Sequence, residues 1–470
     1  MIGRRAEIKE LNRMFDSRES EFVAIYGRRR VGKTYLVRET FAGRFAFSHT
    51  GLNGVSLRRQ LSYFFQSLKK YGCTETRCPA DWFEAFLFLG KTLEKAPDGR
   101  KVVFIDELPW MDTPKSEFLA ALGAFWNDWC SARKDVLFIV CGSASSWIVN
   151  RLFRNKGSLH NRVTCRIRLM PFTLGECEKF VAERALSMSR LDIAECYMAV
   201  GGIPYYWHYL SDGLSLSQNF DRMFFAANAP LKDEFAELYS SLFKKAVAHM
   251  KVVSALAGRK SGLTRAEIAV ETGIPADGKL TDVLETLVQS GFIQFQPLFG
   301  SRKRGGSYRL VDEFSLFHFA FLASGKGNPA FWQSTVSSPA QAVWRGLAFE
   351  RLCMQHVPQI KMALGIQGVE AETYMWKHVP DEACPQGAQI DLIIDRADRV
   401  VDVCEMKFTG KPYTIDKDAF ANLQTKIDVF RTVTGTRKGI QLVFVTSAGL
   451  ARTMYSGIVN REITLDDLFT

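Results

Sequence analysis

Along the first 170 residues, short apolar runs alternate with longer stretches whose apolar residues recur every three or four positions. Runs such as 22–26, 102–105 and 136–141 are continuously apolar and too short for helices, as strands buried on both faces are. This alternation predicts an α/β domain over residues 1–172 with a parallel sheet covered on each side. From Leu174 to Phe243 the period is helical, broken at Gly201-Gly202-Ile203-Pro204. Residues 244–322 read as a helix-turn-helix. His249–Ala257 is one helix, and Thr264 caps Arg265–Thr272 with Glu267 three residues on, a capping-box spacing. Gly273 and Pro275 turn the chain into a second helix, Leu280–Val288. Two strands, Phe292–Gln296 and Tyr308–Val311, flank a glycine-rich basic turn and complete a winged-helix pattern. After a linker at 325–329, a separate α/β pattern occupies 330–470.

The first apolar run leads directly into Gly27-Arg28-Arg29-Arg30-Val31-Gly32-Lys33-Thr34, a full match to the G-x-x-x-x-G-K-[ST] phosphate loop. Gly27 and Gly32 let the backbone curl so that its N–H groups point at phosphate oxygens. Lys33 is expected to reach the β/γ-phosphates and Thr34 to offer its hydroxyl to Mg²⁺. The helix that begins around Tyr35 turns its positive end toward the anion. A second strand, Lys101–Leu108, ends in Asp106 and Glu107. Asp106 is the expected Mg²⁺ ligand, and Glu107 the group that orients and deprotonates an attacking water. A third, Val136–Ser143, ends in small polar residues, and Ser143 is the candidate reader of the γ-phosphate.

Composition narrows the picture. The chain has 47% hydrophobic and 12% aromatic residues, ample for packed cores and too much for a disordered protein. No apolar run approaches the ~18 residues of a membrane span, and the first residues lack an apolar signal core. A cytoplasmic location with no membrane partner is expected. Ten cysteines are scattered singly, as free thiols in a reducing compartment would be. The net charge of +11 fits a nucleic-acid partner. Arg302, Lys303, Arg304 and Arg309, in the wing region, suit phosphate or minor-groove contact with DNA. Asp282 and Glu285 on the second helix oppose tight major-groove binding.

The C-terminal segment carries a second constellation. Glu350 lies on an amphipathic helix, Trp344–Leu352, and Asp391 sits within a short apolar strand, Gln389–Ile394. Fourteen residues on, Glu405 and Lys407 share one face of the strand Val400–Phe408, because strand side chains repeat every two residues. Metal-assisted phosphodiester hydrolysis needs such a set. Asp391 and Glu405 would hold Mg²⁺, Glu350 would help place it, and Lys407 would position or activate the water. The helix Phe420–Phe430 sends Gln424 and Lys426 toward the same edge. Asp391 among apolar residues also requires a metal or cation to offset its burial.

These blocks together resemble the archaeal-type AAA+/STAND ATPases of prokaryotes that join a P-loop domain to a winged helix and a C-terminal PD-(D/E)xK nuclease-like domain. The resemblance rests on Ile2–Leu11, the phosphate loop, Phe104–Trp110, Gly201–Tyr206, Tyr308–Phe314 and the Glu350, Asp391, Glu405, Lys407 set. The Pro-Asp opening of that nuclease family is absent, since Ile390 precedes Asp391. The resemblance implies a P-loop ATPase core (1–172), a helical lid (173–243), a winged helix (244–322) and a restriction-endonuclease-like domain (330–470). It implies ATP as the nucleotide, with Ile2, Gly3 and Arg4 at the adenine and Pro204 in a lid that senses nucleotide state. It also implies self-association, with an arginine finger from a neighbouring subunit for which Arg162 is best placed and Arg154 next. Three readings fit these residues: a nucleotide-gated DNA nuclease, a DNA remodeller whose nuclease fold is silent, and a STAND-type switch whose tail binds protein.

Overall fold

Five strands pair side by side in the order β2-β3-β4-β1-β5, all parallel: β1 (Glu21–Tyr26), β2 (Phe45–Thr50), β3 (Lys101–Asp106), β4 (Val136–Gly142) and β5 (Cys165–Arg168). The computed structural model describes residues 1–154, 156–243, 246–300, 305–324 and 328–470. Strands β3 and β4 are buried at every position, as a sheet with both faces covered requires. The core on it is aromatic: Phe22 packs edge-on against Phe138, and Phe64, Trp82, Phe86 and Phe118 continue the cluster. The predicted parallel sheet is therefore present.

The chain divides into two compact units, Met1–Pro171 with Glu285–Gly291, and Phe172–Leu284 with Phe292–Thr470. The first holds the parallel sheet. In the second, Thr264 caps the helix Arg265–Thr272 with the reciprocal Glu267 bond of a capping box, and Gly273 ends it in the left-handed conformation. Strands β6 (Ile293–Pro297) and β7 (Gly306–Leu310) pair antiparallel. Arg302, Lys303 and Arg304 of the expected wing tip lie outside the described residues, as does most of the linker. Arg309, read as a nucleic-acid contact, is instead 8% exposed. Burial lowers its guanidinium pKa, and the carboxylates Glu350 and Asp391 pull the other way. It faces a protein interior, so its expected contact with DNA is corrected.

A second sheet runs β12-β11-β10-β9-β8, from β8 (Ala371–His378), β9 (Ala388–Arg396), β10 (Val400–Lys407), β11 (Gly439–Thr446) and β12 (Arg461–Thr464). Strands β8, β9 and β10 are antiparallel neighbours, while β10, β11 and β12 are parallel. The long helix Lys417–Thr434 crosses between β10 and β11, and its Leu423, Val429 and Phe430 join the core on that sheet.

The segment expected as a lid falls in the second unit. There Gly202 approaches so closely that a Cβ would meet the carbonyl oxygen of Phe172 at 1.9 Å. Gly201, at φ 62°, passes against the Glu313 side chain, and Trp207 donates its indole N–H to the Gly201 carbonyl at 2.8 Å. Packing of this unit alone accounts for the two glycines. All ten cysteines are free. Among the described residues, no helix is long and apolar enough to cross a membrane.

Candidate functional site

The phosphate loop joins β1 to the helix Lys33–Thr40. Gly27 (φ 142°), Arg30 (φ 71°) and Gly32 (φ 94°) all have positive φ, which curls the backbone of the loop. A Cβ on Gly27 would strike the Leu169 carbonyl oxygen at 2.3 Å. Lys33 is buried, and its ammonium donates to the carbonyls of Gly27 (3.0 Å) and Arg28 (2.9 Å). Burial lowers its pKa, with the Glu107 charge working the other way. The Arg29 side chain has a buried Nη1 with no hydrogen-bond partner among the described residues. A cation held on its own loop and an unsatisfied guanidinium nitrogen beside it suit a bound polyphosphate.

Strand order brings the other nucleotide-site residues together, since β1 and β3 both neighbour β4. Thr34 donates its hydroxyl to Asp106 Oδ2 at 2.7 Å. These two residues would hold Mg²⁺, and the ion would neutralise charge developing on the phosphates. Glu107 stands immediately past β3 in the left-handed conformation (φ 47°), its N–H donating to Asp106 Oδ1 at 2.9 Å. Its carboxylate accepts from Ser143 twice, from the hydroxyl at 2.9 Å and the backbone N–H at 3.2 Å. Burial raises the Glu107 pKa, which suits a proton acceptor. Ser143 is thus engaged with the candidate base.

Arg4, also in the left-handed region (φ 58°), caps the helix Arg5–Phe15 and donates to the Val31 carbonyl at 3.3 Å. Arg4 therefore lies against the phosphate loop, Ile2 and Gly3 directly precede it in the chain, and Tyr35 is 56% exposed at the start of its helix. Arg162 and Arg154 are exposed on the first unit, as an arginine offered to another subunit must be. Pro204 opens the helix Pro204–Trp207 in the second unit. One contributor escaped the sequence reading. Gln60, fully buried, donates to the carbonyls of Leu52 (2.6 Å) and Trp110 (2.7 Å), tying the turn after β3 to the loop after β2.

In the second unit, β9 and β10 bring the C-terminal set together. Cys404 pairs with Leu392, and continuing the antiparallel register by one residue sets Glu405 opposite Asp391. Lys407 donates to Glu405 Oε1 and Lys426 to Glu405 Oε2, each at 2.8 Å. Burial alone would raise the Glu405 pKa, but these two lysines override it and hold it below the usual range. Gln424, by contrast, is exposed. The Asp391 pKa is raised by burial and by the charge of Glu405, and that of Glu350 by burial and by Asp391. The cation that compensates them was not foreseen. Lys260, in the turn after the helix Ala246–Ala257, lies 2.9 Å from Glu350 and 3.5 Å from Asp391 Oδ1. Burial works against the Lys260 ammonium, but the two carboxylates more than offset it and its pKa is raised. Nothing in the local sequence marks Lys260, which precedes Glu350 by 90 residues. Among the described residues, no three His, Cys, Asp or Glu side chains converge to hold a metal ion. The donor chemistry nevertheless fits one: opposed carboxylates with a lysine on one of them would bind Mg²⁺ through Asp391 and Glu405.

An uncharacterised protein of Methanocaldococcus jannaschii is 26% identical over 331 residues, 68% of this chain and 68% of its own. Solved structures that resemble this one include a Walker-type ATPase of Pyrococcus abyssi at 16% identity, covering 67% of this chain and 95% of that one, with a TM-score of 0.46. The ORC2 protein of Aeropyrum pernix is 14% identical, covers 75% of this chain and 95% of that one, and has a TM-score of 0.41. Residues 1–210 match the model of a family described as an ATPase domain predominantly from Archaea, so this stretch, phosphate loop included, is an archaeal-type ATPase domain.

Proposed function

We propose that this chain is an ATP-hydrolysing, DNA-associated protein whose second unit carries a PD-(D/E)xK nuclease-like site, with cleavage or DNA engagement governed by nucleotide state. The archaeal-type ATPase domain supports ATP hydrolysis. In this reading Lys33, Arg29 and the N–H groups of the loop bind the phosphates, Thr34 and Asp106 hold Mg²⁺, and Glu107 takes the proton of the attacking water. Ser143 orients Glu107 through its two hydrogen bonds. An arginine from another copy, Arg162 before Arg154, would complete the site on self-association.

The observation that carries the nuclease part is the register of β9 on β10: Cys404 pairs with Leu392, which leaves Glu405 and Asp391 as the next positions along the two strands, with Lys407 on Glu405. The fold order supports DNA as the partner: a helix-turn-helix with a β-hairpin, proposed as the winged helix, precedes this sheet in the chain. The net charge of +11 favours a polyanion. A second reading, the remodeller with a silent nuclease fold, is favoured by the three lysines that already neutralise Glu350, Asp391 and Glu405. Incubating purified protein with supercoiled plasmid in Mg²⁺ or Mn²⁺, with phosphate release followed in parallel, separates the two. Nicking that Glu405→Ala abolishes supports the nuclease. Phosphate release stimulated by DNA without any nicking supports the remodeller.

A further inference from the structure

We infer that Lys260 is a removable plug: its ammonium occupies oxygens of Glu350 and Asp391, the acids that would place and, with Glu405, hold a divalent cation, so the carboxylate site is latent until this lysine swings away. The inference rests on the metal-site reading given above and adds its regulation. The geometry comes from two segments far apart in sequence. Glu350 and Asp391 belong to the C-terminal helix and sheet, whereas Lys260 belongs to the helix-turn-helix region. Its ammonium stands 2.9 Å from Glu350 and 3.5 Å from Asp391, bridging both carboxylates. Lys407 and Lys426 both contact Glu405, so among the described residues Lys260 is the cation in contact with the other two acids. Two cations cannot share those oxygens at close range without strong repulsion.

The turn that carries Lys260 is fixed. Leu263 and Tyr308 exchange backbone hydrogen bonds at 3.0 and 2.7 Å, and Ser307 donates to the Ser261 carbonyl at 3.0 Å. Gly262 sits at φ 74° where a Cβ would meet the Tyr308 carbonyl oxygen at 2.4 Å. The backbone is therefore strapped to β7, and the movable part is the side chain. That side chain is 37% exposed against 8% for Asp391. A flexible four-carbon stem on a partly exposed side chain can withdraw its charge by rotation about its own bonds, with no backbone rearrangement. A DNA backbone entering the site would favour that withdrawal, because phosphates offer the ammonium a competing partner.

The test is Mn²⁺ binding to the nucleotide-free full chain, followed by the loss of the free-ion electron paramagnetic resonance signal. Lys260→Met, which keeps the stem and removes the charge, is expected to tighten binding roughly tenfold or more over wild type. Lys260→Gln serves as an independent second variant should the first fold poorly, and Lys260→Arg, still cationic, is expected to bind as weakly as wild type. Adding Asp391→Asn to Lys260→Met should abolish the gain. Equal binding by wild type and both neutral variants, lost on Asp391→Asn, would overturn the plug while leaving the metal site standing. No Asp391-dependent binding in any variant would overturn the metal-site reading, and the plug with it.

Discussion

The phosphate loop and the carboxylate cluster both gather charge on buried sheet, but they stabilise it in opposite ways. In the first unit the cation is kept ready by backbone: Lys33 lies on the carbonyls of Gly27 and Arg28, and Arg29 has a nitrogen without a partner among the described residues. The anions there, Asp106 and Glu107, accept from Thr34 and Ser143, which are neutral donors. In the second unit every candidate acid is already in contact with a lysine. The nucleotide site is organised to receive a polyanion, whereas the carboxylate site is neutralised from within. Buried charge needs a partner in either case. Where that partner is neutral or absent the site is open to ligand, and where it is a lysine the ligand must displace it.

Changes confined to one unit should leave the other's chemistry intact, and the largest effects are expected at the groups nearest the chemistry. Glu107→Gln should reduce ATP turnover by about a hundredfold to ten-thousandfold while ATP binding persists, measured by phosphate release beside nucleotide titration. Lys33→Ala should lower turnover by about a hundredfold or more and weaken binding as well, which distinguishes a phosphate ligand from a proton acceptor. Glu405→Ala should leave phosphate release within about twofold of wild type, because its partners Lys407 and Lys426 take no part in the nucleotide site. A large loss there would break the separation. Ser143→Ala removes one of the two hydrogen bonds on Glu107 and should cost about tenfold in kcat, with the backbone bond retained. Gly202→Ala should act on stability alone. The added methyl would meet the Phe172 carbonyl oxygen at 1.9 Å, and a loss of about 1–3 kcal/mol in denaturant unfolding of the second unit is expected.

The same contrast explains what could be read from the sequence. The phosphate loop was legible because its chemistry is local: eight consecutive residues set the turn, the cation and the helix start. Asp106 and Glu107 were legible from one strand end, and Asp391 with Glu405 from strand periodicity, which the β9–β10 register then aligned. The requirement that some cation offset Asp391 was also legible, because an acid in an apolar strand demands one. Which cation was not. Lys260 reaches it through the packing of segments 90 residues or more apart, and no local pattern encodes that. Arg309 shows the converse. A basic residue on a wing strand reads as a nucleic-acid contact until the element covering its face is known, and here that face is buried. Gly201 and Gly202 stand out in the sequence as a break in a helical period, but their close approach to Glu313 and Phe172 depends on segments distant in the chain.

Nucleotide control of a metal-dependent nuclease is tested most directly by plasmid nicking in Mn²⁺ with and without ATP, by wild type, Lys33→Ala and Glu405→Ala. The prediction is nicking that Glu405→Ala abolishes and whose dependence on ATP, but not its occurrence, is lost in Lys33→Ala. Nicking by Glu405→Ala at the wild-type rate, or ATP hydrolysis without nicking by wild type in either Mg²⁺ or Mn²⁺, would contradict it.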